Sequence, residues 1–242
     1  MKLSEKEKAA HREAFQKMSL PDKLGYIFSY YKAYIIVPLI ILIALGHFIY
    51  ARITRKEEVL YLALINVAAG DTFTQAITHG FLAETYEDAA KKQVILYPEL
   101  YLSDNASADN NRYAYASRIK LLGSIEAKKL DVAIVNKEAY DILSHSGYLA
   151  DLNEFLNKDE LDTYTAALVY NDVWINDNRI DHLLDEDIAV NDSALLICNG
   201  IDLSAFPLIR KAGFSDTLYL CVIANTQHKD AITSFISYLS AD

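Results

Sequence analysis

One apolar segment constrains this chain more than any other feature of its sequence. From Ala33 to Ala51 there are nineteen residues without a formal charge at neutral pH, bounded by Lys32 and Arg52. A helix of that length rises about 28 Å, close to the hydrocarbon thickness of a bilayer. Aromatic residues flank it, as is typical at membrane interfaces: Tyr26, Tyr30, Tyr31, Tyr34, Phe48 and Tyr50. The sequence therefore predicts one transmembrane helix over 33–51.

Two alternatives compete with this interpretation. A buried core helix of that length, apolar on every side, is hard to cover in a domain of this size. A cleaved signal peptide is disfavoured because 32 residues precede the segment, which is too long for the n-region of such a peptide.

Basic residues predict the orientation of the chain. Seven lysines and arginines precede the segment and three follow it directly, which favours a cytoplasmic N-terminus. Residues 57–242 carry 13 basic and 29 acidic residues, a net charge of −16. Such a charge disfavours nucleic-acid binding, since phosphates would be repelled. We therefore expect a protein of the cell membrane whose main domain is extracytoplasmic.

The predicted organisation has four parts. Residues 1–32 form cytosolic and juxtamembrane helices, 33–51 the transmembrane helix, 52–58 a charged linker, and 59–242 the extracytoplasmic domain. Within the juxtamembrane part an apolar stripe with helical spacing is formed by Leu24, Ile27, Phe28 and Tyr31. The stripe is either a docking face for another membrane subunit or a simple extension of the membrane helix.

The outer domain alternates between strand-like and helix-like segments, which is typical of an α/β fold with a largely parallel sheet flanked by helices. A helix is expected to be capped by Asp71 or Thr72. The first predicted elements are strands at 59–67, 93–102 and 131–136 and helices at 73–92, 112–129 and 138–144.

Ligands of open α/β sheets bind beyond the carboxyl ends of the parallel strands, where helix N-termini present free N–H groups. This rule nominates ligand-binding candidates after each of the first three strands: Asn66, Gly70, Asp71, Thr72, Ser103, Asp104, Asn136 and Lys137. The alternative for each is helix capping or loop solvation. For Asp71 capping is the favoured alternative.

The sequence shows no pattern typical of catalysis. It lacks a nucleophile elbow, a phosphate loop, a dinucleotide fingerprint and a His-x-x-x-His zinc pair. An acidic group, Asp172 to Asp187, lacks the central glycine and terminal glutamate of a calcium loop, which favours a solvated loop over an ion site. We predict no catalytic residue, no metal and no cofactor.

Cys198 and Cys221 each fall in a predicted strand. They could pair as a disulfide across neighbouring strands or remain buried free thiols, and the sequence does not separate these alternatives.

Two segments resemble type 2 extracellular solute-binding proteins. In 128–156 the resemblance is carried by Asp131, Gly147, Leu149, Asp151 and Leu152. In the C-terminal strand and helix it is carried by Asn225, Ala231, Phe235, Ile236, Tyr238 and Leu239. The short outer part implies a reduced second lobe. The Tyr-Tyr-Lys step at 30–32 is similar to that of membrane-anchored proteins of low-GC Gram-positive bacteria.

These observations predict a single-pass membrane protein whose outer domain works by binding and not by catalysis. The expected ligand is a small solute or a peptide, and the expected partners are the bilayer and an ABC-type transporter or other membrane complex, to which the chain would be an accessory subunit. One alternative is a structural interaction domain without a pocket. Another is a surface hydrolase that uses acidic residues. A cavity at the strand ends would favour the binding interpretation.

Overall fold

The computed structural model describes residues 19–103, 111–174 and 194–241. It divides the chain into two compact units, Met1–Arg55 and Lys56–Asp242. The first contains helix α1, Leu20–Thr54, with Pro38 inside it. Large apolar side chains such as Ile40, Leu42 and Phe48 are exposed along it.

None of the helices, as far as their residues are described, is both long and apolar enough to cross a membrane. The predicted docking stripe of Leu24, Ile27, Phe28 and Tyr31 belongs to α1, but its side chains lie outside the described residues.

The second unit is built on a six-stranded mixed sheet with the order β2-β1-β3-β6-β5-β4. Its strands are β1 Glu57–Ile65, β2 Lys92–Leu100, β3 Val132–Val135, β4 Leu168–Trp174, β5 Ala194–Asp202 and β6 Tyr219–Val222. The α/β class is confirmed. β1 pairs in parallel with β2 and β3, whereas β6 with β3, β5 with β6 and β4 with β5 are antiparallel. The prediction of a largely parallel sheet is therefore wrong for the second half, because a helix between two strands is also compatible with an antiparallel return.

Helices cover the sheet. They are α2 Asp71–Gln75, α3 Phe81–Thr85, α4 Asn111–Glu126, α5 Lys137–His145, α6 Leu152–Phe155, α7 Lys158–Tyr164, α8 Pro207–Ala212 and α9 Lys229–Ser240. A π-helical turn, Ala76–Gly80, joins α2 to α3. The helix predicted over 73–92 thus begins two residues earlier and ends at Thr85, where Tyr86 adopts an extended conformation.

The sheet separates two hydrophobic cores, because successive side chains of a strand point to opposite faces. Leu60, Leu62 and Leu64 of β1 lie in one core, and Ala63 and Ile65 lie in the other. The burial of nearly every side chain in β1 agrees with the continuous apolar run that predicted a buried strand.

The two cysteines follow the same division. Cys198 lies in the core that contains Leu62, and Cys221 lies in the core that contains Ala63. Both are free and fully buried, so the structure favours buried thiols over the disulfide. Burial raises the pKa of both thiols, which suppresses the reactive thiolate.

Candidate functional site at the strand ends

The carboxyl ends of the three parallel strands meet at one edge of the sheet, with Ile65 beside Leu100 and Val135. Asn66 follows β1 with a left-handed φ of 57°. Its Oδ1 accepts the Leu102 N–H at 2.9 Å, and its Nδ2 donates to the Leu102 carbonyl at 2.5 Å and to Oδ1 of Asn136 at 3.2 Å. The structure therefore brings Asn66 and Asn136 together, as the sequence predicts. Their side chains, however, hydrogen-bond to each other and to backbone groups of this protein.

The other candidates on this side of the edge are also paired. Oδ1 of Asn136 caps α5 by accepting the Ala139 N–H at 3.0 Å. The Ser103 hydroxyl donates to Oε1 of Glu138 at 2.5 Å. Nζ of Lys137 lies 2.5 Å from Oδ1 of Asp141. These groups position loops and a helix start, and Asp104 lies outside the described residues.

An open cleft of about 660 Å³ lies on the other side, beside the end of β1. We call it the strand-end cleft. One wall is the loop after β1 and the start of α2, and the other is α8 with the loop that follows it. Its lining includes Ala68, Gly70, Thr72, Phe73, Ala76, Leu208, Lys211, Ala212, Gly213, Phe214 and Ser215. Of the predicted ligand residues, Gly70 and Thr72 therefore contribute to it.

Most of the cleft surface is apolar. Phe73 and Phe214 pack edge to face with ring centroids 4.9 Å apart and connect the two walls. The polar side chains among the described lining are those of Thr72, Ser215 and Lys211, and Lys211 alone is charged. The arrangement suits a ligand that combines an apolar group with a polar or negatively charged one.

Two glycines shape the walls of the cleft. Gly213 has a φ of 72° and ends α8 in the left-handed conformation that favours glycine. Gly70 precedes α2, and its carbonyl accepts the Thr74 N–H at 3.0 Å. No side chain in the described region caps this helix start, so the prediction that Asp71 or Thr72 caps it is wrong. The reason is that the helix begins at Asp71, which leaves the capping position to Gly70.

A polar cluster at the opposite, amino end of β3 was not predicted from the sequence. The fully buried carboxylate of Asp131 accepts the Tyr61 N–H at 2.8 Å and the Thr226 hydroxyl at 2.5 Å. Nδ1 of His228 lies 3.1 Å from each carboxylate oxygen. Through these contacts Asp131 connects β1 and β3 to the loop before α9. No local pattern indicates it, because its partners are distant in the sequence.

Burial, followed by the hydrogen bond to Glu58, raises the pKa of Tyr61 to about 12. Tyr61 therefore remains a neutral hydrogen-bond donor at physiological pH, and its ring lies beside His228 with centroids 5.8 Å apart. The cluster is consistent with a structural junction.

The surface-hydrolase hypothesis depends on the acidic group from Asp172 to Asp187. Of this group the structure describes only Asp172, which is exposed on β4. Its other members, Asp177, Asp181, Asp185, Glu186 and Asp187, lie outside the described residues. The described residues contain no cluster of three or more His, Cys, Asp or Glu side chains suited to a metal ion.

The fold and the cleft together define an α/β domain with an open cavity at the carboxyl ends of its parallel strands. No family model, no curated protein and no solved structure matches the chain. The resemblance to type 2 solute-binding proteins stays a prediction.

Proposed function

We propose that this chain is a membrane-anchored binding protein whose outer α/β domain takes a small solute, or one end of a peptide, into the strand-end cleft. The observation that carries the proposal is the position of the cleft, at the edge where open α/β sheets bind ligands. Its volume of about 660 Å³ falls in the range of small-molecule sites.

The lining supports a ligand of particular chemistry. The paired rings of Phe73 and Phe214 offer an apolar surface, and Lys211 offers one positive charge at the rim. No carboxylate is among the described lining residues, so a cation would find no partner of opposite charge there. A small molecule with an apolar body and a carboxylate or other polar head fits best.

The same lining supports recognition over catalysis. Its described residues include the hydroxyls of Thr72 and Ser215 and the ammonium of Lys211, but no histidine, cysteine or carboxylate that would activate a hydroxyl as in the common catalytic arrangements. The polar groups on the neighbouring part of the edge are engaged in internal hydrogen bonds. These features support binding as the proposed role of the cleft.

The anchor is supported by the uncharged segment 33–51, which lies within the single helix α1. Apolar side chains such as Ile40 and Phe48 are exposed along this helix, and a bilayer would cover them. The proposed arrangement is a single pass with the N-terminus in the cytoplasm. An anchored binding domain of this kind is suited to serve as an accessory subunit of a transporter complex.

A binding experiment tests the ligand site. The full chain in nanodiscs would be titrated with 3-phenylpropionate, with binding followed by saturation-transfer NMR against empty nanodiscs. The Gly70→Leu variant should abolish binding by filling the cleft. Gly123→Leu is its matched control, because a Cβ at either glycine meets no atom within 4 Å. Equal binding by the two variants would show that the ligand does not bind in the strand-end cleft.

The anchor has its own test. Membranes that contain the chain would be washed with alkaline carbonate, which releases peripheral proteins and leaves spanning ones. We expect the full chain in the pellet and a variant that lacks residues 33–51 in the supernatant. Release of the full chain would contradict the anchor and leave the ligand site untouched.

A further inference from the structure

A second cleft, of about 440 Å³, lies between the π-helical turn and the start of β2. We call it the basic cleft, because Lys56, His79 and Lys92 line it and no carboxylate is among its described lining residues. The surrounding domain is strongly acidic, with a net charge of −16 over 57–242. Lys92 also contacts the carboxylates of Glu57 and Asp88. An anionic occupant is therefore indicated by Lys56 and His79 together with the remaining donors of Lys92.

The backbone beside this cleft has an unusual and well-supported form. The π-helical turn Ala76–Gly80 is held by the Tyr238 hydroxyl, which donates to the Ala76 carbonyl at 2.9 Å. A Cβ at Gly80 would lie 2.7 Å from the Tyr238 oxygen, so glycine is required for this contact. The turn places Thr78 and His79 along the cleft. Such turns are frequent at functional sites.

Lys92 contributes a charged ammonium group, held in place by two carboxylates, to the wall of the cleft. Its side chain is only 15% exposed, and its Nζ lies 2.9 Å from Oε2 of Glu57 and 3.8 Å from Oδ1 of Asp88. The hydrogen bond to Glu57 is the main reason that the pKa of Lys92 is raised, which keeps the ammonium charged. An ammonium has three donor hydrogens, so the bond to Glu57 leaves donors for a further acceptor.

Of the residues that line the basic cleft, Lys56 is the nearest along the chain to the apolar segment 33–51. It is the third basic residue after the apolar segment, following Arg52 and Arg55. If α1 is the anchor proposed above, the chain limits Lys56 to about 18 Å from the end of that segment. Lipid phosphates occupy this depth of a bilayer. This short connection along the chain favours a membrane source for the anion.

We infer that the basic cleft binds the phosphate of an anionic phospholipid headgroup and thereby holds the outer domain against the membrane surface. The inference rests on the anchor of the proposed function but not on its ligand site. Lys56 and Lys92 would contact the phosphate, and the imidazole of His79, which lines the same cleft, would hydrogen-bond the headgroup beside it.

Hydrogen–deuterium exchange of the full chain in nanodiscs tests the inference. Exchange in peptides over 76–94 should be about fivefold slower in a mixture of phosphatidylcholine and phosphatidylglycerol than in phosphatidylcholine alone. The Lys56→Gln/His79→Gln variant should lose this difference. Lys211→Gln is the control and should keep it, because that lysine lines the other cleft.

Three outcomes would overturn the inference. They are equal exchange in the two lipids, an unchanged response in the Lys56→Gln/His79→Gln variant, and full protection by inorganic phosphate in phosphatidylcholine nanodiscs, which would assign the cleft to a soluble anion.

Failure of the proposed anchor can be distinguished from failure of the headgroup site. In that case carbonate would release the chain, whereas added phosphatidylglycerol vesicles would still slow exchange over 76–94.

Discussion

The two halves of the sheet edge at the carboxyl ends of β1 and β3 differ in how their polar groups are used. Around Asn66 and Asn136 every contact described above is internal, and the groups close the edge. Around Gly70 and Lys211 the edge opens into a cleft. The rule that ligands bind at strand ends nominated residues in both halves. A polar residue at a strand end is therefore available to a ligand only where no neighbour has already paired with it.

The largest effect is expected from Asn66→Ala. It would leave the buried N–H and carbonyl of Leu102 without their partner and place alanine at a positive φ. We expect a loss of about 3 kcal/mol in the free energy of unfolding. Urea unfolding of the full chain in detergent, followed by near-ultraviolet circular dichroism, measures it.

Asn66→Gly is the control for this change, since glycine tolerates the left-handed conformation and removes only the hydrogen bonds. It should recover part of the loss. A stability of Asn66→Ala close to that of the wild type would mean that this half of the edge is not held as described.

A smaller effect is expected from Asn136→Ala, which removes the cap of α5 and the acceptor for Asn66. The expected cost is about 1 kcal/mol by the same unfolding measurement. Asn136→Asp retains both acceptor roles and should be close to the wild type. Equal destabilisation by aspartate and alanine would argue that the amide, and not the acceptor oxygen, is what matters.

Changes in the open half should barely alter stability. Lys211 is exposed, and no hydrogen bond or ion pair is described for it, so Lys211→Gln should shift the free energy of unfolding by less than about 0.5 kcal/mol. The same change should weaken the binding of 3-phenylpropionate about tenfold and leave the binding of its amide unchanged. A parallel loss for the acid and the amide would show that the lysine does not recognise charge.

No reaction at all is expected from the thiols in the folded protein. Cys198 and Cys221 are fully buried, and their raised pKa leaves little thiolate at pH 8. A thiol reagent should label neither cysteine in the native chain and both after unfolding without a reductant. Unfolded protein that remains unlabelled would instead indicate a disulfide.

The sequence predicts the elements of this domain better than it predicts their use. The continuous apolar run in β1 and the alternation of strands and helices are local signals, and they led to the correct class of fold. The direction of β6 depends on a distant pairing, Val132 with Val222, that no local pattern contains.

The candidate site shows the same limit. Gly70 and Thr72 were nominated because they follow a strand, and they do line the cleft. Lys211 and Phe214 were missed because they come from α8 and the loop after it, far along the chain. The junction of Asp131 with His228 was missed for the same reason. Local sequence patterns therefore indicate the wall of the cleft that follows β1. The wall formed by α8 and the loop after it becomes apparent only in the folded structure.

Alanine-methyl NMR can detect a ligand in the strand-end cleft at the residues that line it. The full chain in nanodiscs, labelled at alanine methyls, would be titrated with 3-phenylpropionate. We expect shifts at Ala68, Ala76 and Ala212, which line the cleft, and none at Ala133, which lies buried in the opposite core. Shifts confined to other alanines, or no shift at the three cleft alanines, would contradict binding in the cleft.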